Sequence, residues 1–129
     1  MWVEFNPNRL GHRVGDCAVR AVCAALDIDW DRAYWDIAEK GYVLADMPSS
    51  NAVWGAVLRD HGFNRSAIPD KCPVCYSAAD FAIDHPKGIY VLGFGGHVAT
   101  VKDGMIYDAW DSSQEIPQYV WYKNRRYYT

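Results

Sequence analysis

The run CAVRAVCAAL, from Cys17 to Leu26, constrains this chain more than any other stretch. Asp16 can cap a helix there, and Arg20 alone interrupts an apolar surface that extends around nearly the whole helix. Such a helix has no face to show to water, so the rest of the chain has to enclose it. A chain of 129 residues can build one such enclosure and little more. We therefore read residues 1–129 as a single domain. Half of the residues are hydrophobic and the formal net charge is only −3, which excludes a disordered chain. No apolar run is long enough to span a bilayer, so no membrane partner is expected. The weakly acidic balance argues against nucleic acid as a partner, although Arg125 and Arg126 make a small basic spot. The opening Met1-Trp2-Val3-Glu4-Phe5-Asn6 lacks the basic start and apolar block of a secretion signal, so the expected compartment is the cytoplasm.

The enclosing elements can be placed by their punctuation. The first sixteen residues, broken by Pro7, Gly11 and Gly15, read as irregular. Asp29 caps a second helix that runs to about Lys40 and stops at Gly41; Trp30, Ala33, Tyr34, Ile37 and Ala38 form its apolar face. A third helix starts at Ser49 or Ser50 and runs to about Asp60, with Gly62 as its stop. His61 then lies at that helix's C-terminal end. A short fourth, capped by Ser77 with Asp80 three residues on, ends before Pro86, where His85 is a turn residue. After Gly88 the pattern changes to strands: 89–92, 97–101, 105–107 and 119–122. Asp103-Gly104 is a two-residue hairpin turn. Helices followed by an antiparallel sheet make an α+β fold.

Three pieces carry chemistry: Gly15-Asp16-Cys17, Gly96-His97-Val98 and Tyr107-Asp108-Ala109-Trp110. A thiol attacks carbonyl carbon as its thiolate, which a helix N-terminus and a neighbouring imidazolium both stabilise. The imidazole then protonates the leaving group, and a carboxylate or amide orients the ring. With a two-residue turn at Asp103-Gly104, Lys102 pairs with Met105 and Ala99 with Asp108. His97 then falls opposite Trp110 and diagonal to Asp108, within hydrogen-bonding reach. A three-residue loop would bring Asp111 there instead. The expected catalytic set is Cys17, His97 and Asp108.

In this order and spacing the chain resembles the papain-like cysteine peptidase superfamily. Gly-Asp-Cys heading an apolar helix is similar to the nucleophile motif of NlpC-type cell-wall peptidases. Gly96-His97-Val98 resembles their histidine strand and papain's. Asp108-Ala109-Trp110 resembles papain's Asn-Ser-Trp, whose amide orients the histidine and whose Trp shields the contact. Cys17 with Arg20-Ala21 is similar to ovarian-tumour-type deubiquitinases, and the whole pattern to small phage and phage-derived bacterial proteins. The resemblance implies a papain-like fold and a cysteine-dependent hydrolase that needs no cofactor. Its substrate would be a peptide, a peptidoglycan crosslink or a ubiquitin-like tail. Two departures stand: Gly11 occupies the position of papain's oxyanion-hole Gln, and the hairpin is shorter than papain's. The backbone N–H of Cys17 is one candidate oxyanion donor, with Asn8, His12 or Arg13 as its partner. The missing Gln leaves a rival reading, a non-catalytic binding or inhibitor module on the same scaffold.

The remaining cysteines read differently. Cys23 is core filling on the buried helix. Cys72 and Cys75 form a Cys-Pro-x-Cys loop, half of a zinc knuckle without its other half. We expect loop-stabilising thiols there, joined in no disulfide. A zinc completed by a histidine or a second chain is the next reading and redox chemistry the last, so the metal set is none, with Cys72 and Cys75 as weak candidates. Arg20, if buried, needs a structural ion-pair partner.

Overall fold

The computed structural model describes residues 1–123; the basic spot at Arg125 and Arg126 lies outside the described residues. In chain order the elements are β1 (Trp2–Glu4), α1 (Cys17–Leu26), α2 (Trp30–Leu44), α3 (Asn51–Asp60), β2 (Asn64–Ala67), α4 (Ala78–Asp84), β3 (Ile89–Phe94), β4 (His97–Lys102), β5 (Met105–Asp108) and β6 (Tyr119–Tyr122). The six strands form one sheet in the order β1-β5-β4-β3-β6-β2. The pairing is antiparallel except for β1, which runs parallel to β5. The fold is thus mixed α+β, with four helices and a six-stranded sheet among the described residues.

The two faces of that sheet can be followed by alternation along the central strands. Val91, Tyr119 and Trp121 join a core with α1, α2 and α3. Tyr90, Leu92, Phe94 and Val120, one residue out of step, join a second core with Phe81 and Ala82 of α4. β3 is consequently apolar throughout, the pattern of a strand covered on both faces. Within the first core α1 lies across β4. Two side chains of β4 fasten it: the Thr100 hydroxyl donates to the Ala21 carbonyl (2.8 Å) and Lys102 Nζ to that of Ala24 (3.1 Å). These bonds take up carbonyls of a helix that is otherwise packed in apolar side chains.

The expected starts hold. Asp29 caps α2 by accepting from the Arg32 N–H, Ser50 caps α3 by accepting from that of Ala52, and Ser77 with Asp80 forms a reciprocal capping box on α4. His61 and His85 each donate from Nδ1 to the carbonyl four residues earlier, closing their helix ends. The hairpin turn is the two-residue kind, with φ of 50° at Asp103 and 77° at Gly104, and Lys102 pairs with Met105 as expected.

Three expectations are corrected, and one strand is added. The first sixteen residues are not wholly irregular, because Trp2–Glu4 pairs in parallel with β5, a partner about a hundred residues away that no local pattern reveals. β2, polar and short, carries no strand pattern of its own and is held by β6. Gly41 does not stop α2, which continues to Leu44 and closes on Ala45 at φ 54°. Gly41 is instead a close approach, where a Cβ would meet the Asp46 carbonyl oxygen at 2.9 Å. Finally, Cys72 and Cys75 are joined in a disulfide, against the expectation of free thiols. The turn brings their Cα atoms to 4.1 Å, and both sulfurs are taken up in the bond. Among the described residues no cluster of three or more metal-ligating side chains forms, and no helix is long and apolar enough to cross a membrane.

Candidate active site

Cys17 is the first residue of α1, where the N–H groups of the opening turn have no partners within the helix and the dipole is positive. His97 opens β4 and Asp108 closes β5, so the hairpin brings both to the same end of the sheet. The His97 Nε2–H donates to Asp108 Oδ2 at 2.7 Å. That leaves Nδ1 as the ring nitrogen for Cys17, whose thiol lies near enough to the His97 side chain for each to shift the other's ionisation. Trp110 lies beside the imidazole, with ring centroids 4.6 Å apart, and Phe94 stacks nearly parallel to it at 5.9 Å. All three expected residues therefore meet. Asp111 does not join them: it is exposed, and its carboxylate accepts from the Ser113 N–H.

The carboxylate of Asp108 is fully buried, and four named groups bond to it. Oδ2 takes the His97 ring and the Ser112 hydroxyl (2.6 Å), and Oδ1 takes Arg20 Nη2 (3.2 Å) and the Ala109 N–H (2.8 Å). Its backbone carbonyl is held as well, by the Trp2 indole (3.0 Å) and the Phe5 N–H (2.8 Å). The strand β1 thus clamps the residue that orients the imidazole.

Arg20 finds the partner that its burial requires, and finds it twice. Nη1 donates to Asp16 Oδ1 at 2.7 Å while Nη2 reaches Asp108. Asp16 in turn accepts the Trp30 indole N–H at 3.0 Å on Oδ2. This corrects the expected role of Asp16. It occupies the N-cap position of α1, but its side chain makes no capping bond, because Arg20 one turn on and Trp30 claim both oxygens. Asp16, Arg20 and Asp108 form one buried charged row that runs from the nucleophile to the orienting carboxylate. The sequence implies a partner for Arg20 but not that it is Asp108, and no pattern in it points to Ser112.

These contacts set the ionisation of the site. Burial pushes the Cys17 thiol up, but the hydrogen bonds from His97 and the Val98 backbone and the charges of His97 and Arg20 outweigh it, leaving the thiol below its ordinary value. Burial alone would lower His97; its bonds to Asp108 and Cys17 instead raise it to about 9. Burial likewise opposes the ionised Asp108, and the bonds from His97 and Ser112 with the His97 and Arg20 charges hold it below the usual carboxylate range. All three directions favour a thiolate–imidazolium pair backed by a carboxylate.

The site opens into a cleft of about 700 Å³ between α2, α3 and the β3–β4 turn. Of the candidate oxyanion donors, Asn8 and His12 line it. Arg13 is occupied elsewhere, donating to the Ala109 carbonyl and to Glu4. No family model matches the sequence, and no curated protein or solved structure matches it either.

Proposed function

We propose that this protein is a cysteine-dependent hydrolase acting on an amide or isopeptide carbonyl, built on a papain-like fold. The observation that carries the reading is the unbroken relay from the Cys17 thiol through His97 to a buried, fully bonded Asp108, at the wall of an open cleft.

In the first half-reaction the Cys17 thiolate attacks the carbonyl carbon. The oxyanion that forms is met by the Cys17 backbone N–H, one of the opening donors of α1 that lack a partner within the helix; the Asn8 amide, whose Nδ2 already donates to Asp16 Oδ2 at 3.5 Å, has its second hydrogen for the other donor. The tetrahedral intermediate collapses, the C–N bond breaks, and His97 gives its proton to the departing amine. A thioester on Cys17 remains. His97, now neutral, takes a proton from water as that water attacks the thioester, and the C–S bond breaks to release the acid and restore the ion pair. Asp108 keeps the same hydrogen bond to Nε2–H throughout, and thereby holds the ring with Nδ1 toward the sulfur.

The test is labelling with iodoacetamide across pH, with the adduct mapped by mass spectrometry. Cys17 should react well below pH 8 and lose that reactivity in His97→Ala. Equal labelling of the wild type and His97→Ala at neutral pH would leave a binding module on the same scaffold as the better reading.

A further inference from the structure

Resting on that reading, and going beyond it to the substrate, we infer that the cleft takes a bulky, uncharged apolar group adjacent to the scissile carbonyl. It would not take the acidic stem of a peptidoglycan crosslink or the slender glycine tail of a ubiquitin-like protein. Trp30, Tyr34, Ile37, Trp54 and Tyr119 line the cleft together with Cys17. Among the described residues no Lys, Arg or Glu lines the cleft, and its one carboxylate, Asp16, is already bonded to Arg20 and Trp30. A charged substrate group entering there would lose its water and find no free counter-ion beyond the Cys17–His97 pair, which the reaction itself uses. A glycine tail would leave most of the 700 Å³ unfilled.

The wall is also fixed in place relative to the nucleophile. Asp16, immediately before Cys17, holds the Trp30 indole, and Tyr34 stacks on Trp30 with ring centroids 5.0 Å apart. On the sheet side, Gly93 has no Cβ because one would overlap the Tyr119 ring, so the ring presses onto β3 beside the site. The aromatic wall is therefore preformed, which favours a group that fills it without rearrangement.

Peptidyl vinyl sulfones test this without a known substrate. The thiolate adds to the β-carbon, the resulting carbanion takes a proton, and nothing leaves, so the adduct on Cys17 is read by intact mass. Four probes suffice, each varied at the residue that carries the vinyl sulfone: Ac-Ala-Phe, Ac-Ala-Asp, Ac-Ala-Lys and Ac-Gly-Gly vinyl sulfone. The Phe probe should react about tenfold or more faster than each of the others, the discrimination an apolar pocket allows. A flat series, or a lead for the Asp, Lys or Gly probe, overturns the inference. Iodoacetamide separates the two levels. If it labels Cys17 at neutral pH while the series is flat, only the substrate inference falls. If Cys17 is inert to iodoacetamide and to every probe, the hydrolase reading falls as well. Ala38, half-buried on α2 and lining the cleft, offers a second check. Ala38→Lys should cut the Phe-over-Asp rate ratio by about threefold or more. The ratio is internal to each variant, so any general loss of folded protein cancels, and an unchanged ratio overturns the assignment of the apolar group to this wall.

Discussion

Cys17 and Cys23 lie on one helix, less than two turns apart, and their surroundings drive the two thiols in opposite directions. Both are desolvated. Around Cys17 that penalty is outweighed by His97, the Val98 backbone and Arg20, and the thiol falls below its usual value. Around Cys23 burial is reinforced by the charges of Asp29 and Asp16, and the thiol is pushed up to about 12. The helix itself is common to both residues. What differs is that Cys17 sits at its positive end against a hairpin that carries a histidine, while Cys23 sits mid-helix in the apolar core. Reactivity here is a property of position in the fold rather than of residue type.

Exchanging one atom in each thiol sharpens the contrast most. Cys17→Ser should reduce hydrolysis by at least about a thousandfold and leave thermal stability nearly unchanged, because a hydroxyl at the helix end does not ionise but can be hydrated. His97→Ala should match that loss. Cys23→Ser should do the reverse: it places a hydroxyl in the apolar core at a cost of about 1–3 kcal/mol, while activity per folded molecule is retained. Denaturation curves beside rate assays read both; a Cys23→Ser variant that keeps its stability and loses its activity would break the comparison.

The next effect concerns the charged row. Arg20→Met leaves Asp16 and Asp108 buried without their cation, a loss of about 3–5 kcal/mol in stability. In the folded fraction it also removes a positive charge that favours both the thiolate and the Asp108 carboxylate, so the acid limb of the pH–rate profile should move to higher pH. A merely structural Arg20 would cost stability without moving that limb.

For the wild type the signs are opposite for the two partners. Cys17 is lowered, so thiolate is retained as pH falls until its shifted value is reached. His97 is raised, so the imidazolium persists at neutral pH and activity declines as pH rises through about 9. The stability that His97 adds runs the same way: it is complete below the ordinary imidazole value of 6.5 and is lost as pH climbs through about 9. An activity that keeps rising beyond about pH 10 would contradict the ion pair.

Asp108→Asn should cost about a hundredfold, less than Cys17→Ser, because the amide oxygen still accepts from Nε2–H and preserves the ring orientation. The smallest effect belongs to Asp111→Asn, expected to change the rate by less than about twofold, since that carboxylate serves only the local turn at Ser113. A large loss there would revive the three-residue hairpin register.

The parts legible in the sequence are those whose causes are local. The bounds of α1 follow from an apolar run and its flanks, the caps of α2, α3 and α4 from Asp29, Ser50 and Ser77, and the β4–β5 register from Asp103-Gly104, a turn that tolerates two positive φ angles. That register suffices to bring His97 to Asp108, which is why the proposed catalytic set can be read from the pattern of residues alone. Gly41 misleads for an equally clear reason. A glycine after a helical run reads as a stop, yet here it is small because the backbone at Asp46 folds back against it. The Cys72–Cys75 bond and the strands β1 and β2 escape such a reading, since each depends on a meeting of backbones rather than on a pattern of residues.

By itself, then, the sequence determined that a nearly all-apolar helix must be buried with a cysteine at its N-terminus, and that a two-residue hairpin must carry a histidine and an aspartate within reach of each other. Both follow from interactions spanning a few residues or one turn. Only the tertiary structure decided that Arg20 bridges Asp16 to Asp108, that Ser112, Trp2 and Phe5 hold Asp108 from outside the hairpin, and that Trp30 is bonded to the residue before the nucleophile. Those contacts join groups up to about a hundred positions apart, and a buried charge accepts whichever partner the packing of helices and sheet delivers to it.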